Sequence, residues 1–79
     1  MQVEVRVFAT LRRYQPDMKV GEALIMQVEP GTTLDQLRIR LGLPREEVAV
    51  IMRNNRQANP EVEVNANDRI AFIPAVAGG

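Results

Sequence analysis

The sequence predicts an α+β fold in which one main helix packs across one face of a mixed sheet of four to five strands. Three observations support this prediction. The first eight residues alternate between polar and apolar, residues 33–41 have helical spacing, and residues 48–73 contain two apolar runs separated by turn residues. A chain of 79 residues has room for one such domain with one core.

Two alternating segments near the start predict the first two strands. In residues 2–8 and again in residues 22–29, every second residue is apolar, which is typical of a half-buried strand. These apolar residues are Val3, Val5 and Val7 in the first segment and Leu24, Met26 and Val28 in the second. Pro16 and Gly21 interrupt the stretch between them, so we expect a hairpin with a long connection.

The third element is a helix over residues 33–41. Its apolar residues stand three and four apart, and they are Leu34, Leu37 and Leu41. Thr33 and Gln36 have the spacing of a capping box, in which each side chain binds the other residue's backbone amide. Gly42 can adopt the left-handed conformation that ends a helix, and Pro44 prevents the helix from resuming.

The rest of the chain predicts two further strands and a short edge piece. Residues 48–52 form a continuous apolar run, as a strand buried on both faces would, and Asn54-Asn55 follows as a turn. Residues 61–64 form at best a short edge strand, and residues 69–73 read as the last strand. We expect the first and last strands to lie side by side and parallel in the middle of the sheet.

Composition excludes several classes of function. Ten basic and ten acidic residues leave no net charge, so nucleic acid and anionic membrane are not expected partners. The chain has no Cys, His or Ser, which excludes thiolate nucleophiles and Ser/His/Asp or Cys/His arrangements. For this reason we expect a chain that is not catalytic alone. No segment is long enough to span a bilayer and no secretory signal is evident, so we expect a cytoplasmic protein.

The charged residues outside these elements have ordinary explanations. Three acidic residues near the end of the chain lack the glycine and the ligand spacing of a calcium loop; these are Glu61, Glu63 and Asp68. We expect them on an exposed face and predict no metal site. Arg38 and Arg40 lie on the polar side of the predicted helix, whereas Arg12 and Arg13 follow the first strand and are more open to a docking role.

The sequence ends in an apolar run followed by Gly78-Gly79. We predict a domain over residues 1–73 and a flexible tail over residues 74–79. Without a Cβ, the two glycines can thread a narrow channel in another protein and leave the terminal carboxyl approachable from both sides. That carboxyl has a pKa of about 3.5 and is a poor electrophile when ionised, so a nucleophile can attack it only after activation by a partner.

Both ends of the chain resemble the MoaD/ThiS family of ubiquitin-like sulfur carriers. The segment "FATLR" (Phe8 to Arg12) is similar to the segment into which the first strand runs in molybdopterin synthase small subunits, and "FIPAVAGG" (Phe72 to Gly79) is similar to their terminal segment. Ile73 and Ala75 stand where many members have Phe and Pro. The resemblance covers almost the whole chain and implies a β-grasp fold.

The resemblance also implies a role for the tail. An adenylyltransferase that resembles ubiquitin-activating enzymes (MoeB/ThiF type) would use ATP to adenylate the carboxylate of Gly79, which sulfur transfer would convert to a thiocarboxylate. The chain itself would bind no cofactor. The tail would then enter the large subunit of molybdopterin synthase (MoaE type), which supplies the catalytic side chains, in a heterotetramer with two copies of each subunit.

Each residue of the terminal segment has an expected role in this interpretation. Gly79 would hold the sulfur, Gly78 would allow passage, and the preceding residues would bind partners. These partner-binding residues are Phe72, Ile73, Pro74, Ala75, Val76 and Ala77. For Phe72 and Ile73, packing in the core is an equal alternative, because alternate residues of a strand face opposite sides.

Three alternatives stay open at this point. The chain could be a sulfur carrier for thiamine thiazole synthesis, although the "FIPAV" segment favours the molybdenum or tungsten cofactor branch. It could be a protein modifier, in which a lysine amine captures activated Gly79. It could also be an interaction module with inert glycines.

Overall fold

The computed structural model describes residues 1–75, which form a five-stranded mixed sheet, one α-helix and two 3₁₀ helices. The strands are β1 (Gln2–Val7), β2 (Leu24–Gln27), β3 (Val48–Arg53), β4 (Arg56–Gln57) and β5 (Arg69–Pro74). The helix α1 spans Leu34–Arg40, and the 3₁₀ helices span Ala9–Tyr14 and Arg45–Glu47.

The sheet has the strand order β2-β1-β5-β3-β4. The first and last strands, β1 and β5, are parallel neighbours in its middle, with Val5 opposite Ile70 and Val7 opposite Phe72. The other neighbouring strands are antiparallel. The predicted fold class and the central parallel pair are therefore confirmed.

The core lies between the helix and one face of the sheet. The alternation in β1 places its valines on this face, and β5 does the same with Ile70 and Phe72. Leu34 and Leu37 of α1 are fully buried against them. The remaining buried apolar residues include Leu11 of the first 3₁₀ helix and Leu43 after α1, which close the core at its ends.

Both ends of α1 follow the sequence signals. The Thr33 hydroxyl accepts a hydrogen bond from the Gln36 amide at 3.2 Å, and the Gln36 side chain accepts one from the Thr33 amide at 2.9 Å. At the other end Gly42 has φ +71°, and the amide of Leu43 donates to the carbonyl of Arg38. The predicted capping box and the glycine stop are confirmed.

The predicted edge piece at residues 61–64 is wrong. That segment has only an isolated bridge between Thr33 and Glu63, and the edge strand is instead β4. The reason is that carbonyls in this region serve the start of α1: Pro60 accepts from the Asp35 amide at 2.9 Å and Val62 accepts from the Leu34 amide at 3.0 Å.

The turn before β4 offers a test of local geometry. Asn54 and Asn55 have φ of 52° and 69°, as the two central residues of a type I′ hairpin turn require. Replacing exposed Asn55 by Gly is expected to leave the free energy of unfolding unchanged or raise it by a few tenths of a kcal/mol, since Gly adopts positive φ without strain.

Asn54→Gly is the matched variant. The Asn54 side chain donates to Asp68 Oδ1 and accepts from the Arg69 amide, both at 2.9 Å, so its loss is expected to cost about 1–3 kcal/mol. Urea unfolding of both variants measures the difference. Equal effects of the two substitutions would contradict this account of the turn.

Candidate functional site

The last described residues lie at the end of β5. Pro74 pairs with Val48 of β3 and is buried, and exposed Ala75 is the last described residue. The strand therefore continues one residue beyond the predicted domain boundary at residue 73. The predicted roles of residues 76–79 lie outside the described residues.

The structure places Phe72 and Ile73 on opposite faces of β5. Phe72 is 0% exposed and lies opposite Val7 and Ile51 in the core, so its side chain packs inside the domain. Of the two roles left open for Phe72, the structure gives it the packing one. Ile73 is half-buried on the other face, where a partner can reach it.

The face of the sheet opposite the helix contains an apolar patch beside the tail exit. We call it the open-face patch, and it consists of Phe8, Val50, Met52, Ala71 and Ile73. Strand register brings Val50 opposite Ile73 and Met52 opposite Ala71. Phe8 is 41% exposed, and its amide donates to the Phe72 carbonyl at 3.2 Å, which places it next to β5.

This patch was missed in the sequence because residues 48–52 read as a strand buried on both faces. Val50 and Met52 are in fact half-buried, and the described residues place no second layer over them. A signal was available: a chain with one predicted helix can cover only one face of its sheet. Apolar side chains grouped on an uncovered face are typical of a protein-docking surface.

The two arginines after β1 have different roles. Arg13 pairs with the Glu47 carboxylate and donates to the Tyr14 hydroxyl at 3.0 Å, and the Tyr14 hydroxyl donates to the same carboxylate. The hydrogen bond to Tyr14 and then the charge of Glu47 raise the pKa of Arg13. This cluster ties the first 3₁₀ helix to the residue that precedes β3, so it braces the end of the sheet from which the tail leaves.

One hydrogen-bond donor of Arg12 has no partner among the described residues. Its Nε atom is buried and has no hydrogen-bond partner within residues 1–75. A buried donor without a partner is uncommon in a folded domain. Arg13 therefore has an internal structural role, whereas the docking role expected for Arg12 stays a prediction.

The expectation that Asp68 lies on an exposed face is wrong. Asp68 is 5% exposed and accepts hydrogen bonds from the Asn65 amide at 2.7 Å and from Asn54 Nδ2 at 2.9 Å, with Arg53 Nε at 3.5 Å. It joins the two turns at one end of the sheet. Within residues 1–75, no cluster of acidic side chains is suited to hold a metal ion, and no helix is both long and apolar enough to cross a bilayer.

Comparisons with known structures support the same architecture. SAMP1 from Haloferax volcanii is 20% identical with a TM-score of 0.74, and each chain is covered over 100% of its length. Subunit 1 in the complex of subunits 1 and 2 of molybdopterin-converting factor from Helicobacter pylori is similar too. The match is 26% identical with a TM-score of 0.62 and covers 100% of both chains.

A protein from Pyrococcus furiosus, whose description refers to subunit 1 of molybdopterin converting factor, is 21% identical with a TM-score of 0.71 over 96% of this chain and 99% of that one. No curated protein sequence matches the chain. The sheet order, the single helix and these similarities confirm the β-grasp fold.

A family model provides the direct assignment. The model of the ThiS family matches residues 5–79, which includes the whole sheet except the start of β1 and extends to the terminal glycines. The resemblance to ubiquitin-like sulfur carriers of the MoaD/ThiS type is therefore confirmed. By this match over nearly its full length, the chain belongs to the ThiS family.

Proposed function

We propose that this protein is a sulfur carrier that acts as the small subunit of molybdopterin synthase, with Gly79 as the site of adenylation and thiocarboxylate formation. One observation supports this above all: the central strand β5 ends beside the open-face patch and leads into the Gly-Gly tail. A partner that docks on the patch is thereby placed to receive the tail.

The base of the tail is held in the sheet. Pro74 is buried and paired with Val48, so the direction in which the chain leaves the sheet is set by the fold. Four residues follow Ala75. Fully extended, they span about 13 Å, which is enough to bring Gly79 into a neighbouring active site.

The chemistry needs only a carboxylate from this chain. An oxygen of the Gly79 carboxylate attacks the α-phosphate of ATP in the activating enzyme (MoeB/ThiF type), and pyrophosphate leaves. Hydrosulfide can then attack the acyl carbon, whereupon AMP leaves and the thiocarboxylate forms directly. If the donor is a persulfide, its outer sulfur attacks, AMP leaves and an acyl disulfide forms; a second thiol then cleaves this bond, releases the thiocarboxylate and is oxidised to a disulfide with the donor. The absence of His, Cys and Ser from the chain fits a substrate role of this kind.

The proposed partner for sulfur delivery is a large subunit of the MoaE type. The Helicobacter pylori relative is described in complex with subunit 2 of molybdopterin-converting factor, which supports a similar pairing here. We propose that the open-face patch forms the centre of this contact and that the complex is a heterotetramer with two copies of each subunit.

The test is the mass of the protein after incubation with its cognate activating enzyme, ATP and a sulfur donor. We expect a gain confined to the peptide that ends in Gly79. Peptide mapping is needed because methionine oxidation adds nearly the same mass as exchange of oxygen for sulfur. The methionines are Met1, Met18, Met26 and Met52.

A variant that lacks Gly79 is the matched control and should gain no mass at its terminus. If the full chain forms neither adenylate nor thiocarboxylate, the proposal is wrong. If the thiocarboxylate forms but delivers sulfur only in thiazole synthesis, the carrier role stands and the molybdopterin assignment fails.

A second candidate function is that of a protein modifier, and the chain offers a clean test for it. Lys19 is its single lysine and is exposed in the loop before β2. Amide bond formation between activated Gly79 and a second copy can therefore occur only at Lys19 or at the N-terminal amine. Covalent multimers that disappear in Lys19→Arg would favour modification through lysine.

A further inference from the structure

The outer edge of β3 is only partly covered by its neighbour. The short strand β4 pairs with Met52 and Arg53, and one more bond joins the Ala58 amide to the Ile51 carbonyl at 2.9 Å. Within residues 1–75, no strand lies beside residues 48–50 on that side. Their outward backbone groups form an open strand edge.

A β-bulge lies in the same stretch. Val48 is opposite Pro74 and Val50 is opposite Ile73, so Ala49 is an extra residue with no counterpart on β5. Ala49 is also exposed. The bulge leaves Ala49 unpaired on β5, and the missing outer strand leaves the other side of residues 48–50 open to an incoming backbone.

A groove of about 280 Å³ runs along this edge. It forms because the chain turns away from β3 after Ala58 and crosses to the start of α1, where the Pro60 carbonyl accepts from the Asp35 amide. Residues 48–51 line one side and residues 57–60 the other, and Arg38 and Arg45 complete the wall. The groove thus offers a backbone edge beside Arg45, the one cation of its lining that is unmatched within residues 1–75.

The charge of the groove is positive. Its one acidic residue, Asp35, is already matched by Arg38, whose Nε donates to Asp35 Oδ1 at 2.7 Å and thereby lowers the pKa of Asp35. Arg45 is exposed and forms no ion pair among the described residues. Exposed Arg56 on β4 likewise forms no ion pair within residues 1–75 and lies just beyond the groove.

We propose that this groove is a second docking site, at which an extended acidic segment of a partner protein adds as a strand along residues 48–50. The backbone of that segment would bond to the open edge, and its carboxylates would lie beside Arg45. Strand addition of this kind derives affinity from main-chain hydrogen bonds and specificity from the side chains next to the edge.

Charge argues against a second copy of this chain as the occupant. Antiparallel self-pairing centred on Ala49 would place Arg45 of one copy near Arg53 of the other, and like charges on facing strands are destabilising. The opposite edge of the sheet is also less available, because Arg40 donates to the Gln27 carbonyl of β2 at 2.9 Å.

The test uses the full chain and synthetic peptides of alternating Val and Glu, with alternating Val and Lys as the control, followed by amide chemical shifts. We expect the acidic peptide to shift residues 45–51 and 58, and to bind at least about fivefold more tightly than the basic one. Equal binding of the two peptides would overturn the proposal. So would shifts centred on the open-face patch or on β2.

Two charge-reversal variants test whether Arg45 contributes to binding of the acidic peptide. Arg45→Glu should weaken binding of the acidic peptide at least about fivefold. Arg69→Glu changes the net charge equally but lies at the start of β5, away from the groove, and should leave affinity within about twofold. Equal losses in both variants, or shifts of residues 48–51 that depend on protein concentration without peptide, would overturn the proposal.

Discussion

Replacing Phe72 by alanine is expected to lower the free energy of unfolding by about 3–5 kcal/mol. Phe72 is fully buried in the central strand, with Val7 on one side and Ile51 on the other, so its loss leaves a cavity that both neighbouring strands line. Because small domains are stable by only about 5 kcal/mol or slightly more, the variant should be largely unfolded or close to it at 25 °C. Circular dichroism during urea unfolding measures the loss.

Ile73→Ala is the matched control one residue along the same strand. Its side chain is half-buried on the open face, so truncation is expected to cost less than about 1.5 kcal/mol and leave the domain folded. The same variant should weaken binding to the large subunit, because it removes part of the open-face patch. A folded Phe72→Ala domain of nearly normal stability would show that β5 is not the centre of the core.

Asp68→Ala is expected to cost about 2–4 kcal/mol, the second-largest effect. The substitution leaves the Asn65 amide and Asn54 Nδ2 without their acceptor and removes the carboxylate that lies 3.5 Å from Arg53 Nε. Hydrogen bonds to a charged group contribute about 1.5–3 kcal/mol each, and the exposure of Asn54 and Asn65 reduces the cost of losing them. We expect this substitution to break the connection between the turn before β4 and the turn before β5.

Two controls distinguish this cluster from a general effect of charge. Asp68→Asn keeps the shape and one acceptor oxygen, so it should cost less than Asp68→Ala. Asp17→Ala removes an exposed carboxylate and should change stability by less than about 0.5 kcal/mol. A cost below 1 kcal/mol for Asp68→Ala would contradict the hydrogen-bonded cluster.

The parts of the fold that the sequence predicted well have strong local signals. Alternating valines fixed the inner face of β1, and the capping box with Gly42 fixed both ends of α1. The edge strand was misplaced because its position depends on distant partners. The carbonyls of Pro60 and Val62 bind the start of α1, and no local pattern in residues 61–64 reveals that use.

The candidate site was only partly predictable, because only one of its parts has a local sequence signal. The terminal glycines and the strand before them are visible as a composition pattern at one end of the chain. The open-face patch is not, because Val50 and Met52 belong to an apolar run whose two faces look alike. Burial of Asp68 was also hidden, since it depends on contact between two turns separated along the chain.

The central position of β5 has a consequence for biosynthesis. The ribosome makes this strand last among the five. Because β5 lies between β1 and β3, neither of these strands has its inner neighbour until β5 has inserted. Until then the nascent chain holds two separate hairpins, which are marginally stable on their own. The pairing of Glu4 with Arg69 spans 65 positions (69 − 4), so folding should be slower than in a helical protein of this size. The segment that completes the fold is also the one that leads to the terminal glycines, so a translation product that ends before β5 would yield no folded domain.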